Sequence, residues 1–236
     1  MNLLLFTARD RVDNDCIELR GRRLRHLLQV HGAGPGDTLR AGEVDGLMGE
    51  AEVLSIDRER ALLRVSLHAE PPQKLPVALV LALPRPKMLR RILRSAAEFG
   101  VRELHLINSY RVEKSYWQTP VLAAATLREY LLQGLEQARD TRLPTVHCHR
   151  RFRPWVEDEL PGLLAGRDAL LAHPGEHPPC PPTLPGGERV LVVGPEGGFI
   201  PFEVEKMQAA GCVPVSLGPR ILRVENAVSS LLGRFV

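Results

Sequence analysis

The sequence predicts an α/β protein in two parts, a small β-rich barrel followed by a larger domain with a mainly parallel sheet. Three observations carry this expectation. The stretch Ala69 to Pro76, AEPPQKLP, places three prolines in eight residues, where no regular element persists, and so separates the parts. The residues before it offer short, turn-bounded, partly alternating apolar runs, the pattern of a small barrel. Those after it alternate strand-like with helix-like segments, the pattern of a parallel sheet covered on both faces. The expected domains are therefore residues 1–70 and 74–236.

In the first part, Leu3 to Thr7, Thr38 to Ala41, Leu47 to Ile56 and Ala61 to Leu67 read as strands. Gly32, Gly34, Pro35, Gly36, Gly42 and Gly46 mark the turns. A helix is expected around Gly21 to Gln29, where Leu24, Leu27 and Leu28 share a face. In the second part, Pro76 to Leu83 is an unbroken apolar run of buried-strand type. Lys87 to Phe99 spaces Met88, Ile92, Leu93 and Ala96 helically before Gly100. Val101 to Ile107 is the next strand and Leu122 to Ala138 a long helix. Ala169 to Ala172 and Arg189 to Val193 are short strands. Phe202 to Ala210 is a helix, Val213 to Leu217 a strand and Glu225 to Phe235 a final helix. The Pro-rich patch from His177 to Pro185 reads as a surface loop.

Composition bounds the function. The hydrophobic fraction of 44% and charged fraction of 25% fit an ordinary globular protein, and a net charge of +3 permits a nucleic-acid partner without demanding one. Cys16, Cys148, Cys180 and Cys212 are far apart with no C-x-x-C pair, so neither a zinc knuckle nor a disulfide framework is suggested. His147 and His149 flank Cys148, but alternating neighbours on one strand do not converge on a metal, so no metal is expected. The start, MNLLLF, has no basic n-region and is followed at once by the charged TARDRVDND, and no apolar run reaches a membrane span, so a cytoplasmic protein with no membrane partner is expected.

Two stretches suggest chemistry. Val190 to Phe199, VLVVGPEGGF, is a strand opening into a glycine-rich loop and then a helix near Pro201, where loop amides and a helix start can hold polar groups. It lacks the G-x-G-x-x-G dinucleotide fingerprint and the Lys of a Walker loop, and a tight turn that binds nothing stays open. Ser216 to Ala227, SLGPRILRVENA, repeats the design. Arg220 and Arg223 flank Ile221 and Leu222, and Glu225 stands at a helix start, where the helix dipole favours a carboxylate. Read singly, these residues also suit a helix cap and solvated arginines.

GPEGGF followed by LGPRILRVENA resembles the paired motifs of the ribosomal RNA small subunit methyltransferase E family, in the SPOUT superfamily of knotted methyltransferases. The resemblance runs the length of the chain. Arg25 to Gly42 is similar to the family's PUA-like barrel signature, and Ser95 to Leu104 to its first helix and strand. Gly134 to Val146 and Leu170 to Glu176 fall at family-like positions. It implies a PUA-like barrel followed by a SPOUT α/β-knot domain whose C-terminal part forms a trefoil knot, a rare topology. It implies S-adenosylmethionine as cofactor, held by Leu171, Ala172, His173 and Pro174 on one loop. Gly194, Pro195, Glu196 and Gly197 would hold it on a second, and Leu217, Gly218, Arg220, Ile221 and Leu222 on a third. It further implies a homodimer acting on 16S rRNA in the assembled 30S subunit, at uracil N3. Arg223 is then the candidate to stabilise the uracil anion and Glu225 to remove the proton or orient Arg223.

RNA contact is expected from the barrel and from Arg85, Lys87, Arg90, Arg91 and Arg94 on the helix RPKMLRRILR, although most charge runs are solvated faces. His147 to Arg153 is a second basic candidate. Two departures stand out: Asn226 replaces the family's Thr, and Ser95 stands where Lys is common. His26, His31 and His105 read as ordinary polar or half-buried residues, and Trp117 and Trp155 as packing residues with base stacking the alternative. Competing readings are a SPOUT enzyme that methylates ribose 2′-oxygens or a tRNA base, and a non-catalytic RNA-binding assembly factor.

Overall fold

The computed structural model describes residues 2–184 and 186–235. They group into two units: Met1–Gln73 with Leu131–Leu143, and Lys74–Tyr130 with Pro144–Val236.

The first unit holds β1 (Leu4–Phe6), β2 (Cys16–Leu19), α1 (Gly21–His26), β3 (Thr38–Glu43), β4 (Met48–Ile56) and β5 (Ala61–Ala69). The strands form one mixed sheet in the order β1-β3-β4-β5-β2, with β1 parallel to β3 and the other pairs antiparallel. The sheet curls as a half-barrel, with β1 and β2 at its edges. Period-two alternation sets its faces: β5 buries Ala61, Leu63 and Val65 while Arg64 and Ser66 face out. Phe6, Ile17, Leu19, Leu27 and Leu63 fill the concave side, with Leu24 of α1 over it. Strand β2 is a finding beyond the expected elements. It has four residues, and the side chain of Asp13 starts it by accepting from the amides of Asp15 and Cys16 at 2.9 and 2.7 Å.

The linear division at 1–70 and 74–236 leaves out the return of Leu131–Leu143 to this sheet. That segment is held by polar contacts. Glu136 is buried and takes both guanidinium nitrogens of Arg22, at 2.6 and 3.0 Å. Its carbonyl accepts from the amides of Asn2 and Leu3 at 3.1 Å. Thr141 donates to the Gly46 carbonyl, and the Leu143 amide donates to Asp45 at 2.8 Å. The GLEQARDTRLPTV stretch therefore carries a structural latch.

The second unit holds β6 (Val77–Ala82), α2 (Pro86–Glu98), β7 (Glu103–Ile107), β8 (Thr145–His149), β9 (Asp168–Ala172), β10 (Arg189–Val193), α6 (Pro201–Ala209), β11 (Val213–Val215) and α7 (Val224–Leu232). The helix α3 (Ala124–Ala138) begins in this unit and ends in the first. All strands pair in parallel, in the order β11-β9-β10-β6-β7-β8. Every residue of β6 is buried, as a central strand covered on both faces requires. Helix α2 starts with Pro86 in its first turn and buries Leu89, Ile92, Leu93, Ala96 and Ala97. A further helical run was not expected: α4 (Phe152–Pro154), a π-turn at Trp155–Glu159 and α5 (Leu160–Leu164). Trp155 and Leu160 bury its inner face although Pro154, Pro161 and Gly162 read as breakers. Trp117 is also buried and donates its indole N–H to Asn108 at 2.8 Å, so neither tryptophan offers a face for stacking.

The expected surface loop from His177 is tied down rather than loose. Cys180 and Leu184 are buried, Pro178 and Cys180 exchange backbone hydrogen bonds with Ser216 at 2.8 Å, and the Leu184 amide donates to the Arg234 carbonyl at 2.8 Å. Pro185, at the end of that loop, lies outside the described residues. No helix among the described residues is long and apolar enough to cross a membrane.

Candidate functional site

Parallel strands end together, and the loops leaving β9, β10 and β11 meet beyond their carboxyl ends. They surround a cavity of about 1050 Å³, closed on one side by the start of α2 and the start of α7. Ala172, His173 and Pro174 line it from the first loop. Gly194, Pro195, Glu196 and Gly198 line it from the second, and Leu217, Gly218, Arg220, Ile221 and Leu222 from the third. Arg223 and Glu225 reach it from the α7 start, and Arg85 and Lys87 from the α2 start.

Two expected residues sit elsewhere. Leu171 is fully buried in β9 and supports the floor, because its side chain points into the sheet packing. Gly197 faces a smaller adjoining cavity of about 570 Å³, shared with Arg111, His173, His177 and Glu196. Of the α2 cations, Arg90, Arg91 and Arg94 do not line the large cavity. Arg94 lies over the Tyr130 ring, 4.7 Å from its centroid, while Arg90 and Arg91 are exposed.

The loops are shaped for a close ligand. Gly218 has φ +115°, which disfavours any side chain, and a Cβ there would meet no protein atom within 4 Å. Gly198, at φ +71°, behaves alike. Backbone at both positions is thus open to the cavity, the requirement for a ligand held by main-chain groups. Glu196 fixes the second loop to α2 by accepting from the Arg85 amide at 3.0 Å.

Sequence reading missed the residue that braces this loop from behind. Glu203 of α6 is buried and accepts from the Tyr110 amide at 2.7 Å, the Ser109 hydroxyl at 3.1 Å and the Ile200 amide at 3.1 Å. It joins the 109–111 turn to the end of the glycine loop, and Arg111 on that turn donates to the Gly197 carbonyl. Its partners in the turn lie over ninety positions away in the chain, beyond any local pattern.

The candidate catalytic residues flank the mouth. Arg223 is exposed and occupies the N-cap position of α7 with extended backbone, and its side chain makes no capping bond. Glu225, in the first turn, is mostly buried and pairs with Arg91 at 3.9 Å. The cation recorded beside Glu225 is therefore Arg91, on a different helix from Arg223. At the opposite lip, burial lowers the His173 pKa, and the neighbouring charges of His177 and Arg111 act in the same direction.

A parallel α/β sheet with a ligand cavity at its strand ends defines a class, and comparison narrows it. Residues 71–236 match the family described as the RNA methyltransferase domain, and the chain belongs to that family. Among curated relatives, the Ribosomal RNA small subunit methyltransferase E of Treponema pallidum is 29% identical over 239 residues, spanning 96% of this chain and 87% of the relative. Two solved structures share the fold. A Legionella pneumophila protein, solved with S-adenosylmethionine bound as its cofactor, superposes with TM-score 0.77 at 20% identity, covering 98% of this chain and 95% of the other. The Ribosomal RNA small subunit methyltransferase E of Neisseria gonorrhoeae, bound to S-adenosylmethionine, gives 0.75 at 21% identity, with the same coverages.

Proposed function

We propose that the chain transfers a methyl group from S-adenosylmethionine to N3 of a uridine in 16S rRNA, acting on the assembled 30S subunit as a homodimer. One observation carries this reading: three strand-end loops of an RNA methyltransferase domain enclose a cavity large enough for a bent nucleoside cofactor. The relatives' names and the cofactor in the two fold neighbours support it. So does the bonding of the 178–184 stretch to Ser216 and Arg234, which fits a C-terminal segment threaded into a trefoil knot.

The donor set fits the cofactor. Open backbone at Gly198 and Gly218 suits the adenosine and methionyl polar groups, while Leu217, Ile221 and Leu222 offer apolar walls. When bound, the cofactor supplies an electrophilic methyl on a sulfonium. The protein's own work is alignment and proton removal. Uracil N3 carries a proton and lies on the pairing edge, so the base must be unpaired or flipped to reach the cavity mouth. Glu225, held by Arg91, accepts that proton, and Arg223 faces the negative charge that develops on the ring. Arg85 and Lys87 at the rim, with exposed Arg90 and Arg91 behind them, meet phosphates.

Calorimetric titration tests the cofactor site first. One equivalent of S-adenosylmethionine per chain is expected, with binding lost in Gly218→Val, where a branched side chain meets a left-handed backbone and enters the cavity. Absence of binding by the unaltered chain would instead favour a non-catalytic RNA-binding factor. Light scattering of the purified chain checks the dimer.

A further inference from the structure

A cluster of ionisable groups lies across the sheet from the cofactor cavity and plays no part in the proposed reaction. Parallel pairing sets His105 of β7 beside His147 of edge strand β8, and strand alternation puts Glu103 and His149 on the same face. The imidazoles of His105 and His147 stack at 4.6 Å, and those of His105 and His149 at 5.4 Å. The π-turn covers this face, with Trp155 against His149.

Four groups form a chain of close contacts. Glu103 Oε2 lies 3.4 Å from His105 Nε2, His105 Nδ1 lies 3.1 Å from His149 Nε2, and His149 Nδ1 lies 3.0 Å from Glu159 Oε2. Two neutral imidazoles carry one N–H each, so two protons serve three contacts. The shorter two contacts have hydrogen-bond length. With Nδ1–H on both rings, His149 donates to Glu159 and His105 donates to His149. In that tautomer the 3.4 Å contact sets a lone pair of His105 against a carboxylate oxygen of Glu103; the other tautomer of His105 sets its lone pair against that of His149 instead.

We propose that Glu103, His105 and His147 form a binding site for a divalent transition cation such as Zn(II). One donor atom from each of the three lies within 4.8 Å of the other two, close enough to converge with side-chain adjustment. His147 is exposed, so its ring has room to turn out of its stack on His105, and solvent fills the remaining positions. Two imidazoles and a carboxylate suit Zn(II), Co(II) or Ni(II) over Mg(II) or Ca(II). The supports that ligands of such ions need are present: His149 Nε2 lies 3.1 Å from the far nitrogen of His105, and Arg167 holds the other carboxylate oxygen of Glu103 at 3.4 Å. The cation ties edge strand β8 to β7. His147 and His149 on one strand do not converge by themselves; the neighbouring strand supplies the missing nitrogen.

The test uses the untagged full chain stripped with a chelator and titrated with Zn(II), and with Co(II) as a spectroscopic probe. One equivalent is expected to bind, to raise the melting temperature, and with Co(II) to give visible absorption bands. His147→Ala alters an exposed side chain and keeps the fold. It and Glu103→Gln each remove a direct ligand, so each should weaken binding by more than about 100-fold, beyond the loss of an outer-shell partner, and remove the melting shift. Nitrogen-15 spectra should show ring-nitrogen signals of His105 and His147 moving on Zn(II) addition. No stoichiometric binding, or binding unchanged in His147→Ala, would overturn the proposal. None of these readouts depends on methyl transfer.

Discussion

Glu225 and Arg223 are separable by substitution because they stand on opposite sides of one task. Glu225→Gln removes the proton acceptor while keeping shape, and is expected to slow single-turnover methylation by roughly 10²- to 10⁴-fold. Arg223→Ala should reduce the rate by about 10²-fold through lost charge stabilisation. Full activity in both variants would remove the assignment. The buried Glu203 acts on stability instead: Glu203→Ala strands two backbone amides and a hydroxyl, and chemical denaturation should show a loss of about 3 kcal/mol. His173 gives a pH dependence. Its folded pKa is below 6.5, so the neutral form is favoured, and cofactor affinity should hold down to that pH. Below it, protonation adds a positive charge at the lip of a cavity meant for a sulfonium, and affinity should fall in titrations across that range. That glycine-punctuated loops follow β10 and β11 was legible from sequence, because such a strand end is a local pattern; the residues expected to hold the cofactor on them came from the family resemblance. Glu203 was not, since a buried carboxylate is indistinguishable in sequence from a solvated helix glutamate.

Helix α2 combines two roles that its sequence already separates. Leu89, Ile92 and Leu93 bury one face, and the arginines occupy the rest. Arg94, committed to the Tyr130 ring, is the weakest of the expected RNA contacts, while Arg90 and Arg91 are exposed. Replacing Arg90 and Arg91 by Ala should flatten the salt dependence of RNA binding by roughly 0.7 per lost phosphate contact, with little further change on replacing Arg94. An unchanged slope in the double variant would argue for a solvated face. The parallel strands were readable because fully buried strands are continuous apolar runs, as in VALVLA of β6. The helical run from Phe152 to Leu164 was hidden by two prolines and a glycine, and β2 by its four-residue length. In both, tertiary burial of Trp155, Leu160, Ile17 and Leu19 outweighs weak local preference.

For the chain as a whole, the proline-rich break is readable but the return of Leu131–Leu143 is not, because its latch pairs Glu136 with Arg22 across 114 positions. Glu136→Ala leaves Arg22 without its carboxylate and should cost the N-terminal unit about 2 kcal/mol, seen as a lower melting temperature. The family resemblance, rather than any periodicity, pointed to the cofactor, the substrate and the knot, since these depend on how three distant loops come together. The most direct test is transfer of a labelled methyl group to purified 30S subunits, followed by nucleoside analysis. The label is expected in 3-methyluridine of 16S rRNA, with little transfer by Glu225→Gln. Label on a ribose oxygen, in tRNA, or nowhere would contradict the proposed reaction.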